Sequence, residues 1–159
     1  PEWPVDLLPE IREAITQTKT KVVILDDDPT GTQTSKDLPV LTEWSASAIA
    51  RELAGPYPAC FILTNSRSLA EDASCKLAEE IGANLKRASE QTGRGIRVIS
   101  RSDSTLRGHF PAEVDALAHT IGKENLPYVR VVEQQDERIP PFKMLLLKIN
   151  ETHIKGLDV

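Results

Sequence analysis

Lys21-Val22-Val23-Ile24-Leu25 is a short apolar run rich in β-branched residues, and it breaks off into Asp26-Asp27-Asp28-Pro29-Thr30-Gly31-Thr32-Gln33. A continuous run of this kind suits a strand covered on both faces of a parallel sheet. The Pro and Gly that follow predict a loop. Two further runs repeat the pattern. Residues 59–64 (Ala59-Cys60-Phe61-Ile62-Leu63-Thr64) read as a second strand and residues 96–100 (Ile96-Arg97-Val98-Ile99-Ser100) as a third, while Tyr128-Val129-Arg130-Val131-Val132 offers a fourth.

Helical patterns separate the strands. Leu7, Leu8, Ile11, Ala14 and Ile15 are spaced for a helix over 6–18, and Ile49, Ala50 and Leu53 for one over 43–54 that stops at Gly55-Pro56. Ser68 and Glu71 have capping-box spacing, and the helix they would open carries Leu77, Ala78, Ile81, Leu85 and Ala88 as far as about Gly93, with Gly82 a local weak point. Pro111 suits the first position of a last helix whose stripe is Phe110, Val114, Leu117, Ala118 and Ile121. Alternation of this kind predicts an α/β domain in three layers, a mainly parallel sheet flanked by helices with right-handed crossovers. The expected organisation is one α/β domain over 1–132 and a divergent tail over 133–159.

Composition narrows the function classes. The chain has 159 residues, 40% apolar and 27% charged, as expected of one globular domain with its own core. Its 19 Lys and Arg against 24 Asp and Glu leave a net charge of −5, so neither nucleic acid nor an anionic membrane is an expected partner. No apolar run approaches the roughly 20 residues of a membrane helix, and Pro1-Glu2-Trp3-Pro4 lacks the regions of a signal peptide. The start without Met reads as that of a processed chain or a fragment. Cys60 and Cys75 read as buried thiols, and so sparse a use of cysteine fits a reducing, cytoplasmic setting.

Ligands of open α/β sheets bind beyond the carboxyl ends of the strands. Three polar clusters follow the first three strands: the acidic turn from Asp26 to Gln33, Thr64-Asn65-Ser66-Arg67-Ser68, and Arg101-Ser102-Asp103-Ser104-Thr105-Leu106-Arg107-Gly108-His109. Parallel strands would bring all three to one edge. Adjacent carboxylates need a cation, a metal or hydroxyl donors as partners, and they can orient or deprotonate a sugar hydroxyl. Arginine forks, hydroxyls and a helix start suit a carboxylate or phosphate; Asp103 would pair with one arginine or hold a substrate hydroxyl. His109, His119 and His153 lack metal-ligand spacing, so no metal site is expected in this chain.

Asp26-Asp27-Asp28-Pro29-Thr30 also fits D-x-D-x-T, which resembles the first motif of haloacid-dehalogenase-like phosphatases, with Asp26 as nucleophile, Asp28 as acid/base and Mg²⁺ as charge partner. Thr64 mimics the second motif of that family, but no later strand ends in the paired acids that would complete the metal site.

Two longer segments point elsewhere. Val22-Val23-Ile24-Leu25-Asp26-Asp27-Asp28-Pro29-Thr30-Gly31-Thr32-Gln33-Thr34 resembles the strand and "DD-x-TG" opening of four-carbon acid sugar kinases. Ser100-Arg101-Ser102-Asp103-Ser104-Thr105-Leu106-Arg107-Gly108-His109-Phe110-Pro111-Ala112-Glu113-Val114 resembles their "DSTLRG" segment and the helix after it. The likeness spans roughly residues 20 to 120. It implies the sugar-binding N-terminal domain of a two-domain enzyme that moves the γ-phosphoryl of ATP, with Mg²⁺, to a hydroxyl of an erythronate, a threonate or a 3-oxo-tetronate. By that resemblance Asp26, Asp27 and Asp28 contact substrate hydroxyls, one of them as base. Ser104, Thr105 and Arg107 hold the substrate carboxylate with Arg101 and Asp103 close by, and Thr30, Gly31, Asn65, Arg67 and Gly108 complete the site. The likeness stops after about residue 122, and no G-x-x-x-x-G-K-[ST] pattern is present. The expectation is therefore a kinase half that needs a C-terminal nucleotide-binding domain, binds no ATP or Mg²⁺ alone, and is compatible with a homodimer. The alternatives are the phosphatase or a non-catalytic remnant that binds small hydroxy acids.

Overall fold

The computed structural model describes residues 6–102, 108–122, 125 and 128–131. In chain order these form α1 (Leu8–Thr18), β1 (Thr20–Asp26), a 3-10 turn (Gly31–Thr34), β2 (Val40–Leu41), α2 (Ala46–Ala54), β3 (Ala59–Leu63), a second 3-10 turn (Ser66–Ser68), α3 (Glu71–Thr92), β4 (Gly95–Ser102), α4 (Ala112–Ile121) and β5 (Tyr128–Val131). The five strands make one sheet in the order β2-β3-β1-β4-β5, and every pairing is parallel. The α/β class and the parallel sheet predicted from sequence are what the chain adopts. Val40–Leu41 is an additional edge strand too short for a periodicity to reveal.

One face of the sheet carries most of the core. Val23 lies between Cys60 and Val98 in register, and Leu25 lies beside Ile62. These residues pack with Ile49 and Leu53 of α2, with Ala78, Ile81, Leu85 and Ala88 of α3, and with Leu117 and Ile121 of α4. Each large side chain among them contributes roughly 1.5–3 kcal/mol by leaving water. On the other face Val22 and Ile24 are only half-buried. There Ile15 and Thr18 of α1 border a hollow with Thr20, Val22 and Arg97, so α1 supplies the third layer. Cover on that face is thin: Leu8, Ile11 and Ile15 of α1 are exposed. The expectation of a first strand buried on both faces holds on the α2–α4 face, while Val22 and Ile24 on the other are only half-buried.

The core face, shared by Lys21, Val23 and Leu25, hides a charge that composition could not place. Lys21 is fully buried, with its ammonium 2.6 Å from Glu52 Oε1 and also donating to the Glu52 carbonyl in the last turn of α2. That helix-end carbonyl also accepts the Gly55 N–H at 3.0 Å, and the cation complements the negative end of the helix dipole.

Helix starts differ from the sequence reading in two places. Ala70, not Ser68, is the N-cap of α3, and no side chain caps it; the Ser68 hydroxyl instead donates to the Asn65 carbonyl at 2.8 Å, closing the 3-10 turn. Pro111 is the N-cap of α4 and not its first residue. Gly82 is a contact point as well as a gap in propensity: a Cβ there would stand 2.9 Å from Thr120 Cβ on α4. Cys60 is buried, and burial pushes its thiol up to about 11, Lys21 acting against and Glu52 with the shift. Cys75 is half-buried rather than buried. The tail over 133–159 lies outside the described residues.

Candidate functional site

Register brings the three polar clusters together. Asp26, the last residue of β1, is paired with Leu63 at the end of β3 and with Arg101 near the end of β4. The Thr64 N–H donates to the Asp26 carbonyl at 2.9 Å, and the Asp27 N–H to the Arg101 carbonyl at 3.3 Å. The acidic turn therefore grows out of the centre of the sheet with one arginine-bearing cluster on each side.

The three carboxylates are not a solvated loop. Asp26 is 0% exposed, Asp27 3% and Asp28 8%. Arg101 Nη1 donates to Asp26 Oδ1 at 2.7 Å, and the same oxygen accepts the Asp28 N–H at 3.1 Å. Burial raises the Asp26 carboxyl above its ordinary range, against the pull of the Asp28 N–H and the Arg101 guanidinium. Burial is also the largest single influence on Asp28, but there it is outweighed. Hydrogen bonds from Thr30 and the charges of Arg67 and Arg101 hold Asp28 below the ordinary range. Its Oδ1 accepts the Thr30 N–H at 2.9 Å, and Arg67 Nη1 lies 2.8 Å from its Oδ2.

Gly31 makes this compactness possible. It is buried and opens the 3-10 turn with its N–H on the Asp28 carbonyl at 2.9 Å. A Cβ at this position would run into Arg101 Nη1 and Asp26 Oδ2, so only hydrogen fits where the turn folds back over the ion pair. On the β3 side, Asn65 is exposed and left-handed (φ 50°), and it turns the chain so that Arg67 reaches back to Asp28.

Of the residues singled out from sequence, Asp26, Asp27, Asp28, Thr30, Gly31, Asn65, Arg67 and Arg101 are gathered at this edge. Gly108 sits at the entry to α4, two residues before Phe110. Asp103, Ser104, Thr105 and Arg107 lie outside the described residues. Arg101 is tied to Asp26, a partner that sequence reasoning did not assign to it.

Sequence reasoning gave no role to Glu113. It stands in the first turn of α4, where burial, first, and the charge of Asp27 raise its carboxyl above the ordinary range, with Ser66, Ser74 and His109 acting the other way. His109 Nε2 is 2.8 Å from the Leu69 carbonyl, which ties the entry of α4 to the segment after β3. An acid in a first helical turn is ordinarily a complement to the helix dipole, so its spacing alone did not distinguish it.

A family model described as "Sugar-binding N-terminal domain" matches residues 22–136, more than half of the chain. The chain belongs to this sugar-binding family. The match takes in the acidic turn, the Arg67 turn and the segment from Arg101 to Gly108, so the edge described above falls wholly within the sugar-binding domain. A search of curated proteins found no match. Among solved structures, a de novo designed P-loop 2x3 fold protein determined by solution NMR aligns at 14% identity over 74% of this chain and 84% of its own, with a TM-score of 0.44; at that level the likeness carries no argument. Among the described residues no helix is long and apolar enough to cross a membrane.

Proposed function

We propose that the carboxyl edge of this sheet holds a four-carbon sugar acid as phosphoryl acceptor for an ATP-dependent kinase. The observation that carries the reading is the in-register meeting of Asp26 with Arg101, which sets three buried carboxylates between two guanidinium-bearing turns. Such a site recognises hydroxyls through carboxylates and an acid group through arginines. Membership of a sugar-binding family supports the same substrate class.

The three carboxylates differ in what they can do. Asp26 is enclosed behind Gly31 and committed to Arg101, so it orders the turn. Asp28 is held below the usual carboxylate range and is a weak proton acceptor; it orients Arg67 and Thr30. Asp27 is the residue we assign to the reacting hydroxyl, orienting it and taking its proton. Arg67, with Ser104, Thr105 and Arg107, holds the acid group, and Asp103 pairs with an arginine or a substrate hydroxyl.

ATP supplies the phosphoryl group when bound. At the acidic turn Asp26 and Asp28 already carry guanidinium partners, which speaks against a resident Mg²⁺ on those two carboxylates. The family's description as an N-terminal domain supports a donor site on another domain. The haloacid-dehalogenase-like alternative needs Asp26 as an open nucleophile, and its full burial beneath Gly31 speaks against that role.

Titration calorimetry of residues 1–159 with erythronate, threonate and 3-oxo-tetronate stereoisomers tests the reading. Binding of at least one acid without ATP-dependent turnover is expected. Absence of binding across the panel, or Mg²⁺-dependent hydrolysis of a generic phosphate ester, would overturn it.

A further inference from the structure

Both ladders of β1 end at Asp26, which is paired with Leu63 on one side and Arg101 on the other. The peptide between Asp26 and Asp27 is therefore the last that the sheet holds, and Asp27 stands at its far end. Hydrogen bonds from both neighbouring strands fix that peptide. Its carbonyl accepts the Thr64 N–H at 2.9 Å and the Thr64 hydroxyl at 3.1 Å, which engages both lone pairs of the oxygen. Its N–H donates to the Arg101 carbonyl at 3.3 Å, the longest of these contacts. Any residue but proline at position 64 would supply the backbone bond. The second bond needs a hydroxyl on a short side chain. That hydroxyl is held in place by its own turn: Thr64 Oγ1 accepts the Ser66 N–H at 3.3 Å and lies 3.0 Å from Ser66 Oγ, local bonds of the kind Ser and Thr make where a chain leaves regular structure. Thr64 is 8% exposed and Ser66 0%, so water has little access to compete.

From these contacts we infer that Thr64 is a positioning residue for Asp27: by gripping the Asp26 carbonyl, its hydroxyl sets the plane of the peptide from which Asp27 departs. The inference deepens the acceptor-site reading and rests on it for the role of Asp27. The peptide on the other side of Asp27 is tied as well, since the Asp28 N–H donates to Asp26 Oδ1, the oxygen that Arg101 holds. Thr64 from β3 and Arg101 from β4 thus secure the two peptides that flank Asp27. Without the hydroxyl, the Thr64 N–H and the long Arg101 contact remain, and the peptide can rock about the line that joins them. A carboxylate that takes a proton from a bound hydroxyl must stand within hydrogen-bond reach of it, and small displacements are felt strongly where positioning does the catalysis. The Thr64 methyl has no part in this. Serine is therefore the conservative replacement, and valine keeps the shape while removing the donor.

Calorimetry of the 159-residue chain with the four-carbon acid that binds best gives one reading. Thr64→Val is expected to weaken binding about tenfold, the scale of one lost hydrogen bond, and Thr64→Ser to restore most of the affinity. Ile49→Val, a change in the buried core on α2 with a similar cost to the fold, is expected to leave the affinity unchanged. Wild-type affinity in Thr64→Val, or equal weakening in Thr64→Ser or in Ile49→Val, overturns the inference. Amide hydrogen exchange of the ligand-free chain gives the second reading. In Thr64→Val the Asp27 N–H is expected to exchange about tenfold faster, a larger change than at Val23 or Val98, and Thr64→Ser is expected to reverse it. An Asp27 amide that does not respond contradicts the positioning role. The wild-type chain needs no variant for the third: a hydroxyl proton held on the Asp26 carbonyl should give a resolved NMR signal in slow exchange with water, and its loss to rapid exchange would count against the contact. If no acid binds the wild-type chain, the acceptor reading fails by itself, and the exchange rates still decide whether Thr64 holds Asp27.

Discussion

Arg101 and Arg67 are paired directly with different carboxylates of one turn, Asp26 and Asp28, and the two pairs respond differently to pH. Arg101→Met strips the partner from a carboxyl that is 0% exposed; loss of one member of a buried pair costs about 3–5 kcal/mol, to be read by urea denaturation at pH 7. The folded-state carboxyl of Asp26 is raised, so its stabilising contribution is complete below the ordinary carboxylate range and is lost as pH rises through the folded value. The Arg101→Met defect should therefore shrink as pH falls toward 4. Asp28 has the opposite sign. Its folded carboxyl is lowered, so its contribution is present above the ordinary range and is lost as pH falls through the depressed value. Asp28→Asn should cost about 1–3 kcal/mol at neutral pH, as for a hydrogen-bonded ionic group, and almost nothing at the acid end of the same series. Equal penalties at both ends of that series would show that Asp28 is not held by Arg67 and Thr30. Gly31→Ala belongs with these: the added methyl meets the Asp26–Arg101 pair, and overpacking of this kind costs about 1–3 kcal/mol, together with most of the ligand affinity.

At the scale of elements, α3 and α4 meet at Gly82. Replacing it with Ala improves helix propensity by about 1 kcal/mol but places a Cβ 2.9 Å from Thr120 Cβ. Helix separation is set by such contacts, so Gly82→Ala should lower stability, and a rise in thermal midpoint would contradict the packing described for this pair. Helix α1 is the converse case. Ile11→Gln on its exposed stripe should change the stability of the described fold by no more than about 0.5 kcal/mol. These elements also show how far the sequence was legible. Lys21-Val22-Val23-Ile24-Leu25 announced a parallel strand, and the parallel order then placed Asp26, Arg67 and Arg101 at one edge without any knowledge of contacts. Spacing could not say that Arg101 would be consumed by Asp26, because that pairing depends on two residues 75 apart meeting in register. Nor could it say that Leu8, Ile11 and Ile15 would stay exposed, since periodicity records an apolar face but not what covers it. Ser68 had the composition of a cap and was diverted into a tighter local turn.

For the whole molecule, the claim is that function sits at one end of the sheet. The opposite end offers a rival place for a small molecule, the hollow lined by Ile15, Thr18, Val22, Pro58 and Arg97, which lacks a carboxylate and suits an apolar guest better than a polyhydroxy acid. Amide NMR of the 159-residue chain, titrated with the four-carbon acids, distinguishes the two ends in one experiment. The account predicts saturable shifts at Asp27, Thr30, Gly31, Asn65, Arg67, Arg101 and Gly108, with Ile15, Thr18 and Ala59 unmoved. Shifts concentrated around the hollow, with the acidic turn silent, would contradict it.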